Sequence, residues 1–210
     1  MEEVADRSGR TRTALLTAAQ TVFAAKGYRD TNVGDIVAAA DRGRGTFYLY
    51  FENKAAIFAA LLDEMSAEMA TQARSIWQAD RPFESVLTSI RTFLDNFAAK
   101  RELWRLFDEV TATDRELRAL RTRWMDNFAA RVQRGIETAP RAAGTRLDPR
   151  VSAHLLAGML DEVSRLLYLE AWQRDSDTVA VHLATVWARS VGYPAAPDLR
   201  VRGGRAKKPR

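Results

Sequence analysis

TNVGDIVAAADRGRGTFYLYFENK, residues 31–54, predicts two short helices joined by a tight turn. The apolar positions of the first helix recur at i, i+3, i+4 and i+7, and they are Val33, Ile36, Val37 and Ala40. Thr31 and Asn32 stand at its start, where a side-chain oxygen can cap free backbone N–H groups. Asp41-Arg42-Gly43 ends the pattern, and we expect Gly43 to take the positive φ of the turn.

The second helix gathers side chains that suit nucleic acid. Phe47 and Phe51, four residues apart, form its predicted buried pair. The remaining positions hold two cations, a hydroxyl and two phenols, which are Arg44, Lys54 (just beyond the helix), Thr46, Tyr48 and Tyr50. Such groups bind phosphate oxygens and base edges. A helix-turn-helix of this size lays its second helix in the major groove, so we predict a DNA-binding motif at 32–51.

GTFYLYFENK (residues 45–54) resembles the signature of the tetracycline-repressor (TetR) family. The match covers the first third of the chain, and seven positions fit in order: Ile36, Ala40, Gly45, Tyr48, Tyr50, Phe51 and Lys54. Two positions depart from the family pattern. Arg42 replaces a buried aliphatic residue, and Gly43 replaces the Ser or Thr that caps the recognition helix. The turn is therefore more basic and less well capped than in the family.

The resemblance implies roles for the residues that match the motif. Gly34 lies where a side chain of the first helix would touch a base, so it contributes nothing specific there. Arg42 and Gly45 are placed at the DNA without an individual role. The other predicted contacts are Thr31 or Asn32, Tyr48, Tyr50 and Lys54 for phosphates, and Arg44 and Thr46 for base edges.

The composition is typical of a soluble protein with ample length for a core. The 210 residues are 47% hydrophobic and 28% charged, and there is no Cys. A disulfide framework, a thiolate metal site and a cysteine nucleophile are thereby excluded. The polar N-terminus predicts no signal peptide, and no apolar run is long enough to span a bilayer. We expect a cytoplasmic protein, associated with the nucleoid through operator DNA.

The net charge of +5 is concentrated in the C-terminal tail. The last fourteen residues (197–210) hold six basic side chains and one acidic one, so the rest of the chain is formally neutral. The high pI is therefore no evidence for the helix-turn-helix. The tail is either a disordered, solvated terminus or an additional phosphate contact that is independent of sequence.

Apolar periodicity predicts helices along the whole chain. After ten disordered residues, a first helix runs from Thr11 to Lys26 and ends at Gly27. A long helix opens at Asn53 and Lys54 and continues to about residue 78. Five more follow Pro82, the fourth of them after Asp148-Pro149 and the fifth from Ser176 or Asp177.

The fold class is therefore all-α. A three-helix head with the helix-turn-helix (residues 9–69) is joined by the long helix to a C-terminal helical domain (70–194) that binds ligand and dimerises. A basic, disordered tail (195–210) follows. The long helix is the natural lever between the two halves, although it also serves as a core helix.

The last two helices suit a homodimer. Ala180, Ala184 and Ala188 recur at four-residue spacing, and small residues allow close helix approach. The resemblance implies the same, because TetR repressors are homodimers joined through their last two long helices. Two recognition helices about 34 Å apart predict a palindromic operator. The alternative is that these faces are buried within one subunit.

The middle helices are rich in aromatic residues, which suit either a hydrophobic ligand cavity or an ordinary core. The resemblance implies a small, mainly hydrophobic effector in this domain. Asp161 and Glu162 interrupt the fourth helix and supply polar groups for a ligand, for water or for a dimer contact. The predicted ligand-binding set is Phe97, Trp104, Phe107, Trp124, Phe128, Met159, Asp161 and Glu162.

Catalytic patterns are missing from the sequence. His154 and His182 are 28 residues apart and belong to no metal-binding motif, and there is no P-loop, G-x-S-x-G or dinucleotide fingerprint. We expect no enzyme, no metal and no cofactor. The predicted function is a sequence-specific transcriptional regulator, a repressor released from its operator by a small hydrophobic effector, although activators of the family share the same head. Two alternatives remain: an all-helical small-molecule-binding protein without specific DNA binding, and a helical enzyme that turns over the bound compound.

Overall fold

A computed structural model describes residues 2–113, 115–139, 147–170 and 172–193, and all regular elements in these ranges are α-helices. The all-α prediction is confirmed. The predicted tail (195–210) lies outside the described residues. None of the described helices is both long and apolar enough to cross a bilayer. In chain order the helices are α1 (Glu2–Asp30), α2 (Val33–Ala39), α3 (Arg44–Tyr50), α4 (Lys54–Ile76), α5 (Pro82–Ala99), α6 (Arg101–Thr113), α7 (Arg115–Thr138), α8 (Pro149–Tyr168) and α9 (Ser176–Val191).

Helix α1 consists of two helical segments that meet at Gly27. This residue has φ 76° and ψ 166°, a conformation that glycine adopts without the steric cost of a Cβ. The helix begins at Glu2, so the predicted disorder of residues 1–10 is wrong for residues 2–10.

Helix α2 begins with a capping box and ends in a strained turn. The Asn32 side chain accepts from the Asp35 N–H at 3.1 Å, and the Asp35 carboxylate accepts from the Asn32 N–H at 2.9 Å. The positive φ of the turn lies at Asp41 (φ 50°), a residue type that tolerates the left-handed region. The prediction for Gly43 is wrong: it has φ −83° and ψ 155° and is the N-cap of α3, without a side-chain bond.

The first of two compact units comprises residues 1–72 and 99–127. Its core lies under the helix-turn-helix, where the ring of Phe23 meets that of Phe58 edge-on at 5.6 Å. Helix α6 belongs to this unit and packs against α1. Within α4 this unit ends at Gln72, close to the predicted domain boundary at 69–70. The unit also includes α6 and the first half of α7, which the prediction assigned to the C-terminal domain. Its fully buried side chains include Leu15, Ala19, Ile36, Phe47 and Ile57.

The second unit comprises residues 73–98 and 128–210, and within it α8 packs against α9. Asp148 caps α8 by accepting from the N–H groups of Arg150 and Val151 at 2.8 and 3.0 Å, ahead of Pro149 as predicted. Helix α9 begins at Ser176, one of the two predicted starts, and Asp175 is its cap. The alanines of α9 (Ala180, Ala184 and Ala188) are fully buried within the chain. Their small side chains therefore serve packing inside the subunit, and the prediction that they form a dimer face is wrong.

Candidate nucleic-acid interface

Helix α3 is anchored by one face and presents the other to solvent. Phe47 and Phe51 are 0% and 5% exposed, and their ring centroids are 5.7 Å apart, as the spacing predicted. On the opposite face Tyr48 and Leu49 are 57% and 82% exposed, and Arg44 is exposed in the first turn. The free surface of this short helix thus combines a cation, a phenol and an apolar side chain.

Arg44 lies over Gly34 of α2. A Cβ at position 34 would lie 2.9 Å from Nη2 of Arg44 and 2.8 Å from Oδ1 of Asn32. Both distances are shorter than van der Waals contact, so a Cβ would require the Asn32 amide or the end of the exposed Arg44 side chain to shift. The sequence analysis missed this close approach, although a glycine inside a helix was a visible signal.

We expect Gly34→Ala to displace the Arg44 guanidinium and to weaken operator binding about tenfold, a loss of about 1.4 kcal/mol. The measurement is fluorescence anisotropy with operator duplex. A double-mutant cycle supplies the control, because in an Arg44→Ala background Gly34→Ala should cost only what displacement of the Asn32 cap contributes. An equal loss in both backgrounds would show that position 34 acts independently of Arg44.

The side chains of Lys54 and Thr31 donate hydrogen bonds to backbone carbonyls at the end of α1. The Lys54 ammonium donates to the carbonyls of Tyr28 at 2.6 Å, Thr31 at 2.8 Å and Arg29 at 3.3 Å, and it lies 4.4 Å from the Tyr28 ring centroid. Burial lowers the pKa of Lys54, and the nearby Asp30 carboxylate raises it. Thr31 is 2% exposed and its hydroxyl donates to the Gly27 carbonyl at 2.7 Å. The phosphate contacts of Lys54 and Thr31 stay predictions, and in this structure both side chains serve the backbone.

Lys54→Met is expected to destabilise the head by about 1–3 kcal/mol, because carbonyls lose a charged donor. Any loss of operator affinity should then come from distorted geometry rather than from a lost phosphate contact. Thermal unfolding and the slope of log K against log salt separate the two effects. An unchanged melting temperature with a salt slope reduced by about 1 would instead make Lys54 a phosphate ligand.

The other predicted DNA-binding residues surround α3. Asn32, Arg42 and Gly45 are exposed, and the Arg42 guanidinium donates to the Asp41 carbonyl at 2.7 Å. Thr46 is half-buried. The Tyr50 hydroxyl is 3.1 Å from the Ser8 hydroxyl, so the N-terminal part of α1 reaches this surface.

Leu49 was missed by the sequence analysis. With 82% of its surface exposed, it is the most exposed of the large apolar side chains in the described residues. It lies outside the buried pair of α3, and this misfit with the apolar period was the available signal. An apolar side chain on a recognition helix suits the methyl group of thymine.

The predicted effector residues fall into groups that belong to different units. In the first unit, Trp104 contacts Trp124 and Phe107, with ring centroids 5.1 and 5.9 Å apart. In the second unit, Phe97 and Phe128 each contact Phe93, at 6.2 and 5.4 Å.

The remaining effector candidates lie on α8 in the second unit. Met159 is half-buried and Asp161 is 6% exposed. Glu162 is exposed and lies 3.6 Å from Arg165. No group of three or more His, Cys, Asp or Glu in the described part of the chain could hold a metal ion. The effector role of this set stays a prediction.

Comparison with known proteins places this helix-turn-helix in a family. Residues 15–61 match the family described as bacterial regulatory proteins, tetR family. The transcriptional regulator EthR of Mycobacterium tuberculosis is 30% identical over 152 residues, which make up 70% of this chain and 69% of EthR. The chain belongs to the tetR family. It is a DNA-binding transcriptional regulator, as predicted from the sequence.

Solved structures share the fold of this tetR-family protein. A putative TetR-family regulator from Syntrophomonas wolfei superposes with a TM-score of 0.72 at 21% identity, covering 88% of this chain and 96% of its own. FadR from Bacillus subtilis, solved in complex with stearoyl-CoA, superposes with a TM-score of 0.68 at 22% identity, covering 85% and 98%. These likenesses confirm the helical architecture.

Proposed function

We propose that this tetR-family protein is a repressor that a hydrophobic effector releases from a palindromic operator. The observation that carries the proposal is the exposed face of α3, where Arg44, Tyr48 and Leu49 face solvent on a helix anchored by Phe47 and Phe51. An anchored helix of mixed chemistry is what major-groove recognition requires.

Each exposed group of the head receives a role from its chemistry. Arg44 donates two hydrogen bonds to a guanine, and Leu49 contacts a thymine methyl group. Phosphates are held by groups around α3, which fix the register without reading sequence: Asn32, Arg42, Tyr48 and Tyr50. Thr46 is half-buried, so it reaches a base edge only where α3 lies close to the bases in the groove.

The homodimer forms through exposed apolar side chains of α8 and α9. Val151 and Leu155, one turn apart on α8, are 57% and 69% exposed, and Val186 on α9 is 52% exposed. Large exposed apolar groups on neighbouring helices favour a self-complementary interface about a two-fold axis. This assignment keeps the dimer interface on the predicted helices, α8 and α9, but forms it from these exposed side chains instead of the buried alanines.

Effector binding acts on the head through α4. This helix begins at Lys54, whose ammonium is bound to the carbonyls at the end of α1. A shift of α4 therefore pulls directly on the helix-turn-helix. A coupling of about 1–3 kcal/mol would lower operator affinity 5- to 150-fold.

A binding selection on genomic fragments, followed by a footprint at physiological salt, tests the proposal. We expect a protected palindrome with half-sites about one DNA turn apart, 34 Å. Weak, salt-sensitive binding without sequence preference would contradict it and favour the alternative of a small-molecule-binding protein.

A further inference from the structure

The N-terminal part of α1 meets the end of α3 at a pair of hydroxyl groups. The Ser8 hydroxyl lies 3.1 Å from the Tyr50 hydroxyl, although the two residues are 42 positions apart in the chain. Ser8 is exposed and Tyr50 is half-buried, so the pair lies at the surface of the first unit. The residues that match the tetR family begin at Leu15, so Ser8 lies outside the stretch that identifies the family.

A second contact connects the same face of α1 to the end of α3. Arg12 follows Ser8 by one helical turn, so the two side chains share a face of the helix. The Arg12 guanidinium donates to the Glu64 carboxylate of α4 at 2.6 Å. Its carbon also lies 5.7 Å from the ring centroid of Phe51, the C-cap of α3. The position of Ser8 beside Tyr50 is therefore supported by neighbouring contacts to α3 and α4.

The donor and acceptor roles of the two hydroxyls become fixed once Tyr50 binds a phosphate. In the free protein either hydroxyl can donate to the other. A phosphate oxygen can only accept, so the phenol hydrogen must point at it, and the phenol oxygen is left to accept. The Ser8 hydroxyl lies within reach to donate to that oxygen. A hydroxyl that accepts one hydrogen bond donates a stronger one, so the two bonds reinforce each other.

We propose that Ser8 is a positioning residue for operator binding. Its hydroxyl donates to the Tyr50 phenol oxygen and thereby directs the phenol hydrogen at a phosphate of the operator. The inference rests on the proposed function, which assigns Tyr50 to a phosphate. Ser8 itself does not touch the DNA, so its effect on affinity depends entirely on Tyr50.

Fluorescence anisotropy of the full-length protein with the footprinted operator tests this role. Ser8→Ala should weaken binding about three- to tenfold, because one of two coupled hydrogen bonds is lost in each half-site. Ser8→Thr keeps a hydroxyl and should retain the affinity of the wild type. Thr13→Ala is the matched control and should also bind like the wild type. Thr13 is exposed on a different face of α1, where it lines a cleft with Ala39 of α2.

Thermal unfolding separates this role from a merely structural one. Ala is a better helix former than Ser, so Ser8→Ala should unfold at the same temperature as the wild type or at a higher one. The expected signature is therefore a loss of operator affinity without a loss of stability.

A double-mutant cycle with Tyr50→Phe shows whether the effect depends on the phenol. In the Tyr50→Phe background, Ser8→Ala should cost no further affinity. Wild-type affinity in Ser8→Ala, or an equal loss in both backgrounds, would overturn the inference. Full affinity of Tyr50→Phe for a palindromic operator would also overturn it and leave the regulator function intact. A wild-type protein that protects no palindrome would refute the proposed function, and the inference with it.

Discussion

Arg44→Ala is expected to lower operator affinity about 30- to 20,000-fold, because a bidentate arginine–guanine contact contributes about 1–3 kcal/mol of discrimination in each of two half-sites. Arg44 is the first residue of α3 and is exposed, and its guanidinium lies close to Gly34 of α2. Fluorescence anisotropy with the footprinted operator and with a scrambled duplex of equal length measures both affinity and selectivity. Binding to the scrambled duplex should change far less.

Arg105→Ala is the matched control for this prediction, since Arg105 is an exposed arginine of α6 away from the helix-turn-helix. Its operator affinity should equal that of the wild type. Equal losses on operator and scrambled duplex in Arg44→Ala would assign Arg44 to a phosphate instead of a base.

Leu155→Glu combined with Val186→Glu is expected to yield a monomer that binds operator about 100- to 10,000-fold more weakly, because the gain from two linked half-site contacts is lost. Both side chains are exposed, at 69% and 52%, so charges there should spare the subunit core. Light scattering after gel filtration reports the mass, circular dichroism the helix content and anisotropy the affinity.

Trp172→Glu controls for the mere removal of exposed apolar surface, since Trp172 is 40% exposed and lies between α8 and α9 in the chain. It should remain a dimer. A double variant of Leu155 and Val186 that is still dimeric, with full operator affinity, would place the interface on another surface.

The parts of the fold that depend on local chemistry were predictable. The cap and Pro at the start of α8 and the aromatic pair Phe47 and Phe51 each follow from spacing along one segment. The backbone conformation of the turn was less predictable, because both Asp41 and Gly43 tolerate a positive φ and the sequence does not indicate which of them adopts it.

Contacts between distant segments could not be predicted from spacing. The Lys54 ammonium donates to backbone carbonyls more than twenty residues away, and the Arg44 guanidinium lies close to Gly34 across the turn. The alanines of α9 illustrate a different limit, because small residues allow close helix approach within a subunit as readily as between subunits. The exposed Leu155 and Val186 become evident only when burial is known.

The glycine beneath Arg44 implies that two properties of this regulator can evolve separately. Under the proposed function position 34 need not touch DNA, yet the size of its side chain limits where the Arg44 guanidinium can lie. We expect a single substitution there to change the choice of target and to leave the proposed phosphate contacts, and with them binding to DNA in general, in place. Duplicated copies of such a gene thereby gain a short route to separate sets of targets, and an engineer gains one position at which to build a library.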